Sequence, residues 1–203
     1  MRAAVIYLFL LTVCSKVFAQ QDTVYPAGCY MTIEELKTKT PSKHCRLQVG
    51  EKQAGAFLGF GANDYVLTST DKCFSKKEIR SDMFAYSDGT HLYLNGGKQD
   101  LQGAYVGVIA RGNNFFAFNG TRTTQEAVGA LLMGGEATTG TEAKGRYLYV
   151  MDVKTGKSFY ATPEYMDKIL ESYPALKKQY DAEINKGADE TMLKYINLSN
   201  QVK

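Results

Sequence analysis

The chain has 203 residues, of which 44% are hydrophobic and 22% charged, and its formal net charge is +3. These proportions exclude collagen-like, intrinsically disordered and multi-span membrane chains. The length suits one domain of moderate size, or one domain with a helical appendage.

The N-terminus reads as an export signal. Arg2 supplies a positive start, and Ala3 to Val13 forms an apolar run too short to span about 30 Å of hydrocarbon. Val17-Phe18-Ala19 carries the small-residue pattern of a signal-peptidase site, so residues 1–19 are expected to be removed and Gln20 to start the mature chain. Cys14 is not expected to carry lipid, because Val13 stands where a lipoprotein box needs a small residue. Loss of Arg2 and Lys16 lowers the net charge from +3 to +1. A balance so near zero leaves no electrostatic footprint for nucleic acid. Lys76-Lys77 and Lys177-Lys178 are interspersed with acids and read as solvated faces. No later apolar run has the length of a transmembrane anchor, so a periplasmic or extracellular location is expected.

Cys29, Cys45 and Cys73 lie beyond the leader. An oxidising compartment favours one disulfide and one leftover thiol, with three pairings open. Their spacing does not resemble a zinc knuckle, and no histidine pair accompanies them.

Residues 20–27 form a polar lead-in. Thr32-Ile33-Glu34-Glu35 then fits a capping box that opens a short helix to about Thr38, and Pro41 ends it. Arg46 to Val49 alternates as a strand, Gly50-Glu51-Lys52 reads as a turn, and Tyr65 to Thr68 is a second strand after the Gly59–Asn63 loop. Three hairpins follow. The first pairs Met83–Tyr86 with His91–Leu94 around Asp88-Gly89. The second pairs Ala104–Ala110 with Phe115–Phe118, and the third pairs Arg146–Val153 with Ser158–Ala161. In the Arg146–Val153 strand, Tyr147, Tyr149 and Met151 share one face and Leu148 and Val150 the other, the pattern of a strand covered on both sides. The Gly/Ala-rich segment 127–135 is expected to pack as a buried helical turn, the alternative being a membrane-inserting or partner-binding loop.

The last forty residues read as helices. Thr162 caps and Pro163 opens the first, with a stripe of Tyr165, Ile169 and Leu170. Tyr173-Pro174 restarts a second, with Leu176, Tyr180 and Ile184, and Gly187 ends it. Asp189 caps a third that carries Met192, Leu193 and Ile196. The expected fold is α+β: an antiparallel sheet or partly rolled meander of hairpins, with a short N-terminal helix and C-terminal helices packed on it. Residues 20–161 would form its mainly β part and 162–203 a helical segment of the same domain.

Little here points to catalysis. The two histidines, His44 and His91, have no nucleophile at a suitable spacing, and a Cys45–His44 dyad fails because strand neighbours point apart. Glu34-Glu35, Asp152 and Glu164 share no spacing that forms a carboxylate pair. No phosphate loop or calcium loop is present, so no catalytic residue, cofactor or metal is expected. Tyr86, Tyr93, Tyr105, Tyr147 and Tyr149 crowd the hairpins, either as core or as a face for a sugar, peptide or lipid. Asn119-Gly120-Thr121 and Asn197-Leu198-Ser199 match the N-glycan sequon. Asp22-Thr23-Val24 resembles the O-glycosylation pattern of secreted Bacteroidetes proteins, which adds Thr23 to Asn119 of the first sequon as a modification candidate.

The opening Ala27-Gly28-Cys29-Tyr30-Met31-Thr32-Ile33-Glu34-Glu35-Leu36, with Pro41 after it, resembles that of a group of uncharacterised secreted proteins of Bacteroidetes. The Met83–Leu94 hairpin and the Tyr173-Pro174-Ala175-Leu176 and Lys194-Tyr195-Ile196-Asn197 pieces are similar to the same group, although Ala85 and Tyr86 stand where a Trp-containing strand is common. The resemblance implies a secreted domain of unknown function and carries over no catalytic residue. The expected function is a non-enzymatic exported module that binds an unknown protein or envelope component through its sheet face or its Gly/Ala-rich segment. The alternatives are a carboxylate-based hydrolase acting on envelope polysaccharide and a structural homo-oligomer built through Gly129–Gly135.

Overall fold

The structure, a computed structural model, describes residues 24–52, 64–101, 105–121 and 146–202. The leader with Cys14, the Thr23 pattern, the Gly59–Asn63 loop and the Gly/Ala-rich segment lie outside the described residues.

Nine strands and four α-helices are described. The strands are β1 (Gly28–Tyr30), β2 (Leu47–Lys52), β3 (Asp64–Ser69), β4 (Ala85–Ser87), β5 (Leu92–Asn95), β6 (Tyr105–Ala110), β7 (Phe115–Thr121), β8 (Arg146–Asp152) and β9 (Ser158–Tyr160). The helices are α1 (Ile33–Thr38), α2 (Pro163–Leu170), α3 (Pro174–Asp181) and α4 (Asp189–Gln201). A π-helical turn covers Glu78–Asp82, and a 3-10 turn covers Gly96–Gln99.

Every strand pairing is antiparallel, and the order β1-β4-β5-β6-β7-β8-β9 makes the expected meander. The β2–β3 hairpin joins it through β6. The first half of β6 lies between β5 and β3, with Val106 opposite both Leu94 and Asp64. Its second half pairs with β7, with a register shift between Val108 and Ala110. Such a bulge bends a strand and increases its twist, so the sheet rolls at β6.

That roll brings two sheet faces together around one core. Ala85, Leu92, Leu94 and Val106 meet Phe116, Phe118, Tyr149 and Met151 there. The other face of β7 and β8, with Ala117, Leu148 and Val150, is covered by Met166, Ile169, Leu170, Tyr180, Met192 and Ile196 of the helices. The two-sided apolar pattern of β8 thus has a partner on each side. A third cluster, including Leu47, Leu67, Phe74, Tyr86 and Tyr105, fills the space under the β2–β3 hairpin.

Local chemistry sets the helix ends. Thr32 Oγ1 accepts from the Glu35 N–H (3.2 Å), while the Glu35 carboxylate accepts from the Met31 N–H (2.8 Å). Thr162 Oγ1 accepts from the Tyr165 N–H (3.2 Å), with Pro163 at the first helical position. Asn200 ties α4 to the sheet: its amide accepts from the Phe115 N–H and donates to the Phe115 carbonyl, both at 2.9 Å. Gly112 makes room for this clamp, since a Cβ there would lie 1.9 Å from Asn200 Cγ.

Three sequence expectations are corrected. Residues 50–52 do not turn but continue β2, opposite Val66, Tyr65 and Asp64, because a facing strand outweighs a weak turn preference. Ile184 joins no apolar stripe: α3 ends at Asp181 and Ile184 is fully exposed. The Tyr180 hydroxyl donates to the Lys186 carbonyl (2.9 Å), folding the connection back before Ile184 can reach the core. Asp189 is the first residue of α4 and not its cap, which is Ala188; there its charge complements the helix dipole.

Candidate functional site

The roll at β6 leaves a cleft of about 250 Å³ whose lining includes Tyr65, His91, Tyr93, Gly107, Asn119 and Arg146. Its floor is Gly107, paired with Tyr93 of β5. Tyr65 of β3 leans across it, so close that a Cβ at Gly107 would lie 3.0 Å from the Tyr65 ring. The Tyr65 and Tyr93 rings meet edge to face, with centroids 4.9 Å apart. Burial, with smaller contributions from Asp88, Tyr65 and Tyr86, pushes the Tyr93 phenol up to about 12, so it stays neutral.

At one end of the cleft His91 is exposed, its ring 6.3 Å from that of Tyr93. Its Nδ1 lies 3.2 Å from Asp88 Oδ2. Partial burial opposes ionisation of Asp88, but the N–H groups of His91 and Thr90, at 2.6 and 2.7 Å, hold the carboxyl below its usual range.

At the other end Arg146 donates through one guanidinium nitrogen to Asp64 Oδ1 (3.2 Å) and through the other to the Asn119 carbonyl (2.8 Å). Both side chains of this ion pair are only 9% exposed. The arginine charge is therefore cancelled by a carboxylate before any ligand arrives, and the cleft is polar and aromatic but close to neutral.

The five hairpin tyrosines do not share one face. Tyr93 lines the cleft, and Tyr86 lies behind it with its hydroxyl bonded to both the N–H and the carbonyl of Leu47 (3.2 Å each). The buried Tyr105 hydroxyl donates to the Ile79 carbonyl. Tyr149 stacks on Phe118 in the central core, and half-buried Tyr147 meets Tyr160 edge-on. Asn119 sits half-buried in β7 opposite Leu148, so its sequon lies in a strand ladder. In the second sequon, Ser199 is buried in α4. No sequence motif marks Tyr65, Gly107, Asp64 or Arg146 as parts of one site. The one signal available there is an arginine at the head of the apolar run Tyr147–Met151.

Of the three open cysteine pairings, the structure contains Cys45–Cys73, with Cα atoms 6.5 Å apart. Cys29 is free and buried, and burial outweighs its contacts with the Cys45 carbonyl and Lys43 to push the thiol up to about 11. Its thiol is expected to resist alkylation until the protein unfolds, when mass spectrometry should find a single adduct on Cys29. Labelling of the native protein at the rate of a free peptide would contradict this burial. The same shift has a pH consequence. The native state holds protons that the unfolded chain releases near 9 for cysteine and 10 for tyrosine, whereas Cys29 titrates near 11 and Tyr30 and Tyr93 near 12. Above the carboxylate range stability should therefore be level up to about pH 9 and fall as pH rises beyond it, which denaturation midpoints from neutral pH upward would measure.

Among the described residues no group of three or more His, Cys, Asp or Glu side chains could hold a metal ion. His44 Nδ1 faces the Ala27 carbonyl at 3.4 Å, and neither histidine hydrogen-bonds a serine, threonine or cysteine side chain among them. No helix among them is long and apolar enough to cross a membrane.

A family model described as a family of unknown function, DUF6563, matches residues 28–203, from the first residue of β1 through all four helices. The chain belongs to the DUF6563 family. Comparisons with curated proteins and with solved structures returned no match. The cleft, the disulfide and the buried thiol all lie within the matched family region.

Proposed function

We propose that the chain is an exported, non-enzymatic binding module of the cell envelope whose cleft holds one neutral, hydroxyl-rich unit such as a sugar ring. The observation that carries this reading is the convergence of two tyrosine rings, an imidazole and an amide around an arginine whose charge is already cancelled. Rings supply an apolar face, and hydroxyl, imidazole and amide groups supply both donors and acceptors, the combination a hydroxyl-rich ligand needs. An anion would gain little from a guanidinium already held by Asp64. The volume is below the roughly 300–1,000 Å³ of drug-sized sites, which favours a single unit of a longer chain. Export is supported by the leader pattern and by the Cys45–Cys73 disulfide, which persists in oxidising compartments.

The test is saturation-transfer NMR with a panel of methyl glycosides and solubilised envelope polysaccharide, on the parent protein and on Gly107→Val. Valine suits a strand and fills the cleft floor, but it also presses on the Tyr65 ring at a cost of about 1–3 kcal/mol. Binding should therefore fall at least tenfold in a variant whose fold is checked by urea denaturation beside the parent. No transfer to any glycan, or equal transfer with both proteins, would reject the cleft. New reducing ends released from the polysaccharide would reject the non-enzymatic reading.

A further inference from the structure

We propose that the surface built by the two disulfide-joined segments docks the protein onto an anionic lipid headgroup surface. In sequence, residues 39–46 and 71–80 are far apart and look like ordinary solvated stretches. The Cys45–Cys73 bond and the pairing of Leu47 with Ser69 bring them side by side. The first segment carries Lys39, Lys43 and Arg46 with no acid. The second carries Lys72, Lys76, Lys77 and Arg80 against Asp71 and Glu78. This is an excess of five positive charges in a chain whose formal net charge is only +3, so the remainder is net acidic.

The charges are also available. Arg46, Lys72, Lys76, Lys77 and Arg80 are exposed, and none has an ion-pair partner among the described residues. Lys43 lies over the Phe74 ring at 4.4 Å and reaches Glu78 only at 4.0 Å. By comparison Lys177, Lys186 and Lys194 on the C-terminal side each lie within 3.1 Å of a carboxylate. The disulfide fixes the cluster, so little ordering is needed on contact.

The chemistry of the patch selects the partner. Lysines dominate, and an ammonium is a hydrated point charge suited to a diffuse field of phosphates rather than to forked recognition of one group. Phe74, the aromatic ring of the second segment that Lys43 covers, is buried, which leaves it no face on which a nucleic-acid base could stack. Position fits as well. The patch lies at the Leu47–Ser69 end of the β2–β3 hairpin, and the cleft lies at its Asp64 end, about 17 Å away along β3. Lipid docking thus leaves the cleft free, and the two proposals stand or fall separately.

The experiment is flotation of the oxidised, secreted protein with phosphatidylcholine vesicles, with and without phosphatidylglycerol, at low and high salt. Binding should require the anionic lipid and weaken with salt. Each surface cation is worth about fivefold in partitioning, so Lys76→Glu/Lys77→Glu should lower it by about 25-fold or more. Lys154→Glu/Lys157→Glu makes the same charge change on exposed residues of the β8–β9 turn and should have a far smaller effect. Equal losses in the two variants would mean net charge alone and would overturn the patch. Binding that ignores phosphatidylglycerol would overturn it too, as would capture by soluble dextran sulfate with no vesicle binding. Gly107→Val should float like the parent, which separates failure of the cleft from failure of the patch.

Discussion

Arg146→Met is expected to destabilise the protein by about 3–5 kcal/mol, because it strands the Asp64 carboxylate in a site only 9% exposed. The pair spans two parts of the sheet: Asp64 opens β3, which enters through the first half of β6, and Arg146 opens β8, which enters through β7. The guanidinium also satisfies the Asn119 carbonyl, so its loss removes a second bond from the same corner. Urea denaturation of the parent, Arg146→Met, Asp64→Leu and the double variant would measure this. Removing both charges should restore most of the loss, since an apolar pair of similar volume often matches a buried ion pair. Strictly additive losses would mean the two side chains act separately. A single-variant loss under about 1 kcal/mol would mean that the pair is as solvated as a surface bridge.

Replacing Cys45 and Cys73 by alanine is expected to cost about 3–4 kcal/mol, as loop closure over 28 residues predicts. For a domain of this size that corresponds to a fall in melting temperature on the order of 10 °C. The bond closes the base of the β2–β3 hairpin, next to the point where Leu47, Leu67, Phe74 and Ile79 form their own cluster. Loss should therefore loosen that hairpin before the helix-covered face of β7 and β8. Hydrogen exchange would resolve the order: amides of β2 and β3 should lose protection first, while those of β7 and β8 keep theirs. Uniform loss of protection would show that the hairpin and the central core unfold as one unit. In the single variant Cys73→Ala, Cys29 should not take over the bond to Cys45, because it is buried and its thiol is held neutral.

The parts of the fold governed by short-range chemistry were legible in sequence. Asp88-Gly89, with Gly89 at φ 95°, specified the first hairpin. Thr32 and Thr162 specified two helix starts, and the alternation in Arg146–Val153 specified a strand covered on both faces. Where the structure departs from local preference, a distant partner decides. Gly50 to Lys52 stay extended because β3 lies opposite, and Ile184 is left in solvent because Tyr180 ends the helix by bonding Lys186.

The candidate site was much less legible, for the same reason. Tyr65, Tyr93, Gly107, Asn119 and Arg146 come from five strands and have no mutual spacing that a motif could express. Composition and periodicity alone determined the α+β class, the hairpin meander and the helical C-terminal segment, since each rests on backbone preferences and burial patterns within about ten residues. Only the tertiary structure decided which cysteine stays free, which tyrosines become core, that Arg146 finds Asp64, and that two lysine-bearing segments share one surface. The disulfide joins residues 28 positions apart and the ion pair residues 82 apart, and the side chains carry no local record of the partner they will meet.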